Sequence, residues 1–251
     1  MGQNRGQGRL GQGAHLGAPD RPASSQVRPF DPSDAPERDR HPVVAGPGGR
    51  LGGAGGGVRA FFDADGLAVR HEQREQHALL FEALAVRVGD ETLFDALTTS
   101  PGRFRARENR ASRLLAEGLV ERYVVRDSGV EQLFVLRQSP EITGELRIEG
   151  RFQTELQPWL LSSKESSVFL DQEGNPALAY GRVVARDALG RKQPIQIVLA
   201  GQAVTLTLAA EWLAGAVYPV IVDPLIGDPE DVADGATELK SLDVAYNTRA
   251  G

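Results

Sequence analysis

From residue 58 onward the chain is a succession of short apolar or alternating runs, each closed by a turn signal, and this confines it to an all-β fold. Gln132-Leu133-Phe134-Val135-Leu136, Glu145-Leu146-Arg147-Ile148-Glu149 and Ser167-Val168-Phe169-Leu170 are such runs. Ile195-Gln196-Ile197-Val198-Leu199, Val204-Thr205-Leu206-Thr207-Leu208 and Tyr218-Pro219-Val220-Ile221-Val222 follow. Several alternate with a period of two, the mark of a strand with one buried and one wet face. Asp127-Ser128-Gly129, Asp171-Gln172-Glu173-Gly174-Asn175 and Asp187-Ala188-Leu189-Gly190-Arg191 separate them with residues that favour turns. The expected architecture is an antiparallel β-sandwich, Ig-like or jelly-roll-like, over residues 58–225. One stretch is ambiguous. Glu72 to Val88 favours helix by its Glu, Gln, Ala and Leu content, yet Leu84-Ala85-Val86-Arg87-Val88 ends like a strand, and the second half is read as strand.

Residues 1–57 are of different material. They hold 14 of the 29 Gly and 7 of the 15 Pro, with Phe30 as their single aromatic residue. So little apolar surface cannot offset the entropy of ordering, and the segment is expected to be a disordered low-complexity leader. Gly52 to Gly57 lacks the Gly-Lys-Ser/Thr ending of a phosphate loop. Residues 226–251 form an acidic linker, followed by a truncated strand at Leu242-Asp243-Val244-Ala245-Tyr246.

The whole chain carries a net charge of −6 with no basic excess, which argues against nucleic acid as the main partner. The absence of cysteine removes disulfides, thiolate zinc ligands and cysteine nucleophiles together. No apolar run is long enough to span a bilayer as a helix. The start, Met1-Gly2-Gln3-Asn4-Arg5, leads into Gly and Gln, so no signal peptide is visible.

Candidate chemistry is sparse. Of the four histidines, His15 and His41 fall in the leader, while His71 and His77 lie six apart in a polar stretch and are expected to be solvated. Their spacing does not match a zinc helix. Asp63-Ala64-Asp65-Gly66 resembles the middle of a calcium loop, with Glu72 at position 12, but Phe61 stands where the first acid belongs. A hairpin turn is the better reading. Asp228, Glu230, Asp231 and Asp234 cluster at the expected domain border, and Asp228, Asp231 and Asp234 are the candidate calcium ligands, with a solvated linker as the plainer reading. No Gly-x-Ser-x-Gly occurs, and Ser162, Ser163, Ser166 and Ser167 around Lys164 are expected in a loop. Asp171 and Glu173 form a carboxylate pair of a kind any acidic β-protein offers. Trp159 and Trp212 sit in apolar surroundings and are expected to pack in the core rather than to form a glycan platform. No catalytic or cofactor-binding residue is assigned, and the chain reads as non-enzymatic.

Parts of the chain resemble a known family. Phe62-Asp63-Ala64-Asp65-Gly66-Leu67, Glu108-Asn109-Arg110, Val120-Glu121-Arg122-Tyr123-Val124 and Gly129-Val130-Glu131-Gln132-Leu133-Phe134-Val135-Leu136 carry the likeness. So do Leu178-Ala179-Tyr180-Gly181, Arg186-Asp187-Ala188-Leu189-Gly190-Arg191, Trp212-Leu213 and the closing Tyr218-Pro219-Val220-Ile221-Val222-Asp223-Pro224-Leu225-Ile226. Together they are similar to the N-terminal β-domain of bacterial secreted and surface proteins, which precedes FG-GAP, integrin-like or SBBP-type propeller repeats. Leu242-Asp243-Val244-Ala245-Tyr246-Asn247 looks like the opening strand of the first repeat. The resemblance implies a secreted or cell-surface setting, a downstream repeat domain as partner, and a scaffold or cap role. The alternative is a carbohydrate- or calcium-binding module.

Overall fold

The computed structural model describes residues 41–161 and 166–232, apart from the side chains of Glu230 and Asp231. The chain begins with an antiparallel meander of β1 (Val44–Ala45), β2 (Leu51–Gly55), β3 (Val58–Phe62), β4 (Leu67–His71) and β5 (Ala78–Val88), with β6 (Glu91–Asp95) turning back on β5. It then builds a second meander from β7 (Arg105–Arg107), β8 (Arg110–Ala116), β9 (Leu119–Arg126) and β10 (Gly129–Leu136). β11 (Leu146–Gln153) returns to the first sheet beside β5, and β12 (Gln157–Leu160), β13 (Ser166–Leu170), β14 (Pro176–Arg186) and β15 (Lys192–Pro194) extend the second. β16 (Gln196–Ala200) and β17 (Ala203–Leu208) join the first sheet. After the one-turn helix α1 (Ala210–Ala214), β18 (Val220–Gly227) closes the second sheet between β10 and β14. A short helix α2 (Pro229–Val232) follows.

All pairings are antiparallel, and the two nine-stranded sheets, A and B, pack face to face as a sandwich. Phe81, Phe134, Phe152, Phe169 and Tyr180 form its aromatic centre, with rings meeting edge-on or stacked at centroid distances of 5.0 to 6.3 Å. The space for Phe81 depends on Gly150 opposite, where a Cβ would lie 2.6 Å from the ring. A bulge between Glu149 and Gly150 in the β11–β5 pair falls at the same place.

One expectation is corrected by these elements and one is borne out. The Gly-rich stretch at 46–57, assigned to the disordered leader, contains β2, with β1 just before it, and β2 pairs with β3 from Leu51↔Phe62 to Gly55↔Val58. Glycine is required there because backbone meets backbone. A Cβ on Gly55 would sit 2.3 Å from the Arg126 carbonyl oxygen, and one on Gly56, at φ 57°, 2.1 Å from the Gly129 nitrogen. The β2–β3 turn is thus wedged against the β9–β10 turn. The strand reading of the second half of Glu72–Val88 holds: Ala78 to Val88 is one continuous strand, and burial of alternate residues between the sheets overrides the helical propensity of its first residues.

The sheets differ in kind. Sheet A alternates buried and open positions, as in β3, β4, β11 and β17. In sheet B, β13 and β18 are buried at every residue and β10 at all but one. A strand buried on both faces needs apolar side chains on both.

Candidate functional site

The outer face of sheet B is the most distinctive surface among the described residues. Residues of β9 that face the sandwich, Leu119, Glu121, Tyr123 and Val125, alternate with outward Val120, Arg122, Val124 and Arg126. Outward positions of β10 and β18 are Glu131, Leu133, Val135, Ile221, Asp223 and Leu225. Val120, Val124, Leu133, Val135 and Ile221 form one apolar cluster on this outer face, and Leu133 is 0% exposed. Leu161, Val168, Leu170, Ala179 and Leu225 form a second one, closed by Val232 of α2, also 0% exposed. The helix that follows β18 therefore folds straight back onto this face.

Charge surrounds the apolar strips. Arg105, Arg107 and Arg110 at the β7–β8 end share the outer face with Arg122 and Arg126 of β9. Arg182, Arg186 and Lys192 line a groove of about 260 Å³ at the other end, with Ser128, Glu131 and Asp223. Glu131 and Asp223 are the carboxylates of these strands on that side. Arg186 pairs with Asp223, and Arg126 Nε lies 2.8 Å from Glu131 Oε2 as an ion pair rather than an aligned hydrogen bond. Burial pushes the Arg186 guanidinium below its ordinary range, Glu131 raises it again, and nearby Arg126 adds to the lowering. Its Nε is buried with no hydrogen-bond partner. Much of this charge is paired, Arg107 and Arg110 with Glu108, Arg126 with Glu131 and Arg186 with Asp223, above a buried apolar floor.

Beneath that face lies a buried polar network that sequence reasoning missed. Arg113 Nε donates to Glu121 Oε2 at 2.6 Å, and both side chains are essentially fully buried. Tyr123 O–H donates to Glu121 Oε1 at 2.5 Å, and Gln132 Nε2 donates to the Tyr123 oxygen at 3.0 Å. Tyr180 O–H donates to Gln132 Oε1 at 3.2 Å. Arg113 also donates to the Ala64 carbonyl at 2.9 Å and lies 4.5 Å above the Phe104 ring. Burial, and then the Glu121 charge, drive both Tyr123 and Tyr180 well above the ordinary phenol range. The network ties β8, β9, β10 and β14 to the β3–β4 loop, and all its donors point inward. The signal available in the sequence was polar residues at inward positions, Arg113, Glu121 and Gln132, in otherwise apolar strands.

The residues singled out from sequence disperse. His41 is an ordered contact, not part of a free leader: Nδ1 lies 2.7 Å from the Ala54 carbonyl and Nε2 2.6 Å from Asp127 Oδ1. His71 and His77 are not solvated surface groups. His77 is 8% exposed, and the two rings approach different carboxylates, Asp228 at 3.8 Å and Asp171 at 4.0 Å. Asp63 to Gly66 form the loop of the β3–β4 hairpin, with Asp65 N–H donating to Asp63 Oδ1 and Arg50 pairing with Asp63 at 3.0 Å. Asp171 accepts from the Glu173 and Asn175 backbone N–H groups, so it fastens a turn and does not pair with Glu173. Asp187 does the same for Leu189 and Arg191 and also accepts from Val217 N–H. Burial would raise its carboxyl, but the Arg191 side chain and these N–H donors outweigh it and hold it below the ordinary range.

Ser166 and Ser167 lie buried in β13 instead of in a loop, because Ser167 Oγ donates to the Trp159 carbonyl and Ser166 Oγ accepts from Arg182 N–H. Ser162, Ser163 and Lys164 fall outside the described residues, as do His15 and Asp234 and the side chains of Glu230 and Asp231. Trp159 is 47% exposed on the edge strand β12, contrary to the core expectation, because an edge strand has an uncovered flank. Trp212 does pack, half-buried, against the core. Among the described residues, no three His, Asp or Glu side chains converge as metal ligands.

No known family profile and no curated protein matches the chain. Solved structures of heparan sulfate lyase HepC from Pedobacter heparinus, mutant and unmutated, overlap it at a TM-score of 0.34 and 11% identity. The overlap covers 70% and 69% of this chain, which spans 36% of the length of those chains. So loose an overlap carries no argument about substrate or activity.

Proposed function

We propose that the chain is a non-catalytic structural and interaction module of a secreted or cell-surface protein. It is a two-sheet scaffold ahead of a repeat region, docking on its neighbour through the outer face of sheet B. The observation that supports this is the apolar make-up of that outer face, where Val120, Val124, Leu133, Val135 and Ile221 form one cluster although a solvent-facing sheet would be polar. β18, the last strand among the described residues, lies in the middle of that sheet, and α2 behind it folds back onto the same face.

Calorimetry of the chain, alone and continued into the domain that follows it, tests the reading. Docking raises the melting temperature of the sandwich, because a partner that binds the folded state stabilises it. An unchanged transition sinks the docking role.

The carbohydrate-binding alternative is favoured by one specific observation, the exposure of Trp159 beside Pro158 on β12. An exposed aromatic ring at a sheet edge offers a stacking face. Titration with oligosaccharides should then shift or quench Trp159 emission, and a Trp159→Ala chain should lose the response. No response to neutral and anionic oligosaccharides ends that alternative.

A further inference from the structure

We propose that His41 is a proton-operated clasp: as imidazolium it bridges β2 and the β9–β10 turn and fastens the β1 edge of sheet A, and on losing a proton it loosens that edge. This goes beyond the docking reading and is independent of it, since β1 belongs to the other sheet.

The partners of the ring carry the argument. His41 Nδ1 lies 2.7 Å from the Ala54 carbonyl oxygen, and Nε2 lies 2.6 Å from Asp127 Oδ1. A carbonyl and a carboxylate both accept, and neither has a proton to give. A neutral imidazole owns one N–H, so it satisfies one of these oxygens and turns a lone pair on the other. The imidazolium owns two and satisfies both, the one to Asp127 being charge-assisted. His71 is a contrast within the same chain. Gln73 N–H donates to its Nδ1 at 3.1 Å, so its single proton sits on Nε2, towards Asp228.

The backbone leaves room for this ring. A Cβ on Gly55 would stand 3.1 Å from His41 Nδ1. Asp127 is the carboxylate on the ring. The other charged groups along the groove that His41 lines are Arg50 and Arg59, held by Asp63 and Glu75.

What the clasp holds has few other bonds. β1 is two residues long and pairs through Val44↔Gly52 and Ala45↔Leu51. On either side of it, Val43 N–H donates to the Glu108 carbonyl and Gly46 N–H to the Arg50 carbonyl, both at 2.8 Å. So short an edge opens locally at little cost, and two bonds from one ring weigh heavily in it. Residues of this segment, Pro42, Val44 and Gly46, also line a groove of about 530 Å³ opposite Arg59 and Phe61. Histidine is the side chain that takes up and gives up a proton between about pH 5 and 8. Within that range the proton on His41 sets whether this edge, and one wall of the groove, are fastened.

Amide hydrogen exchange on the full chain tests the clasp. Protection of the Val43 and Gly46 amides is read at about pH 5.5 and about pH 8, after correction for the intrinsic effect of pH on exchange. It should be several-fold lower at the higher pH, a modest change because Asp127 is 55% exposed and water screens the pair. His41→Gln should lower protection to one value at both. Asp127→Asn should act in the opposite sense and hold the edge closed at the higher pH. There the asparagine amide donates to the neutral Nε2 while Nδ1–H keeps the Ala54 carbonyl. His71→Gln should leave the response of the unaltered chain in place. Equal protection at the two pH values in the unaltered chain overturns the clasp. So does a response that survives in His41→Gln, which would place the proton elsewhere. If His41→Gln does not fold, Asp127→Asn decides alone: a chain that still opens at the higher pH shows that the two acceptors do not govern the edge.

Discussion

Replacing Arg113 with methionine should be among the most damaging single changes in the chain. Arg113 and Glu121 are sealed between the sheets, and their 2.6 Å contact is the ion pair that balances the Glu121 carboxylate. With Arg113→Met, that carboxylate keeps the Tyr123 O–H at 2.5 Å and a long contact to Gln132 at 3.4 Å, both from neutral groups. Breaking one partner from a buried pair costs about 3–5 kcal/mol, because the remaining charge stays desolvated. The Ala64 contact and the stacking on Phe104 are lost as well. In a domain of this size the melting temperature should fall by roughly 10 °C. Urea unfolding followed by tryptophan fluorescence measures the free energy. The double variant R113M/E121Q removes both charges, and the amide oxygen that replaces the carboxylate still accepts from Tyr123. It leaves the buried amide nitrogen of residue 121 short of an acceptor, worth about 1–3 kcal/mol, so two changes should harm less than one. If R113M costs under about 1 kcal/mol, or the double variant equals the sum of the singles, the argument from burial is refuted.

Gly55→Ala and Gly56→Ala should each cost more than about 1 kcal/mol by driving a Cβ into the β9–β10 turn, whereas Gly201→Ala meets open space and pays only for its φ; urea midpoints compare them. Tyr123 and Tyr180 have folded pKa values raised above the unfolded value of about 10, so their contribution is complete below that pH and is lost as pH rises through it. An ultraviolet titration should show both phenols ionising only together with unfolding, and independent ionisation in the folded chain contradicts the network. Asp187 has a lowered folded pKa, so it stabilises above about pH 4 and its contribution fades as acid protonates it. Asp187→Ala should flatten the acid limb of the stability curve, and an unchanged limb would show that the turn does not depend on the carboxylate. Val198, 56% exposed in the uncharged edge strand β16, should promote association; Val198→Lys should lower the sedimentation-measured dimer fraction without changing the melt, and an equal fraction would clear that edge.

Much of the sandwich was legible as alternation. Glu145 to Glu149 and Val204 to Leu208 read correctly because the sheet that holds them has one wet face, and period two survives there. The Asp171 and Asp187 turns were legible because an Asp side chain closes its own turn with local N–H groups. The Gly-rich segment failed because composition cannot tell glycine that floats from glycine that is packed. Gly55 and Gly56 are held by Arg126 and Gly129, roughly seventy residues further along the chain. Trp159 failed because apolar neighbours along the chain say nothing about which strand ends up at an edge.

The sequence by itself determined the class of fold, the strands from residue 58 onward that alternate, and the turn chemistry, because these rest on contacts within a few residues. Only the tertiary structure decided which polar residues face inward, and with whom. Arg113, Glu121, Gln132 and Tyr180 come from four strands, and no spacing along the chain predicts their meeting. It also decided the charge of a surface. A net charge of −6 gives no hint that so many arginines share one face, since net charge sums over the molecule while strand order sorts it in space.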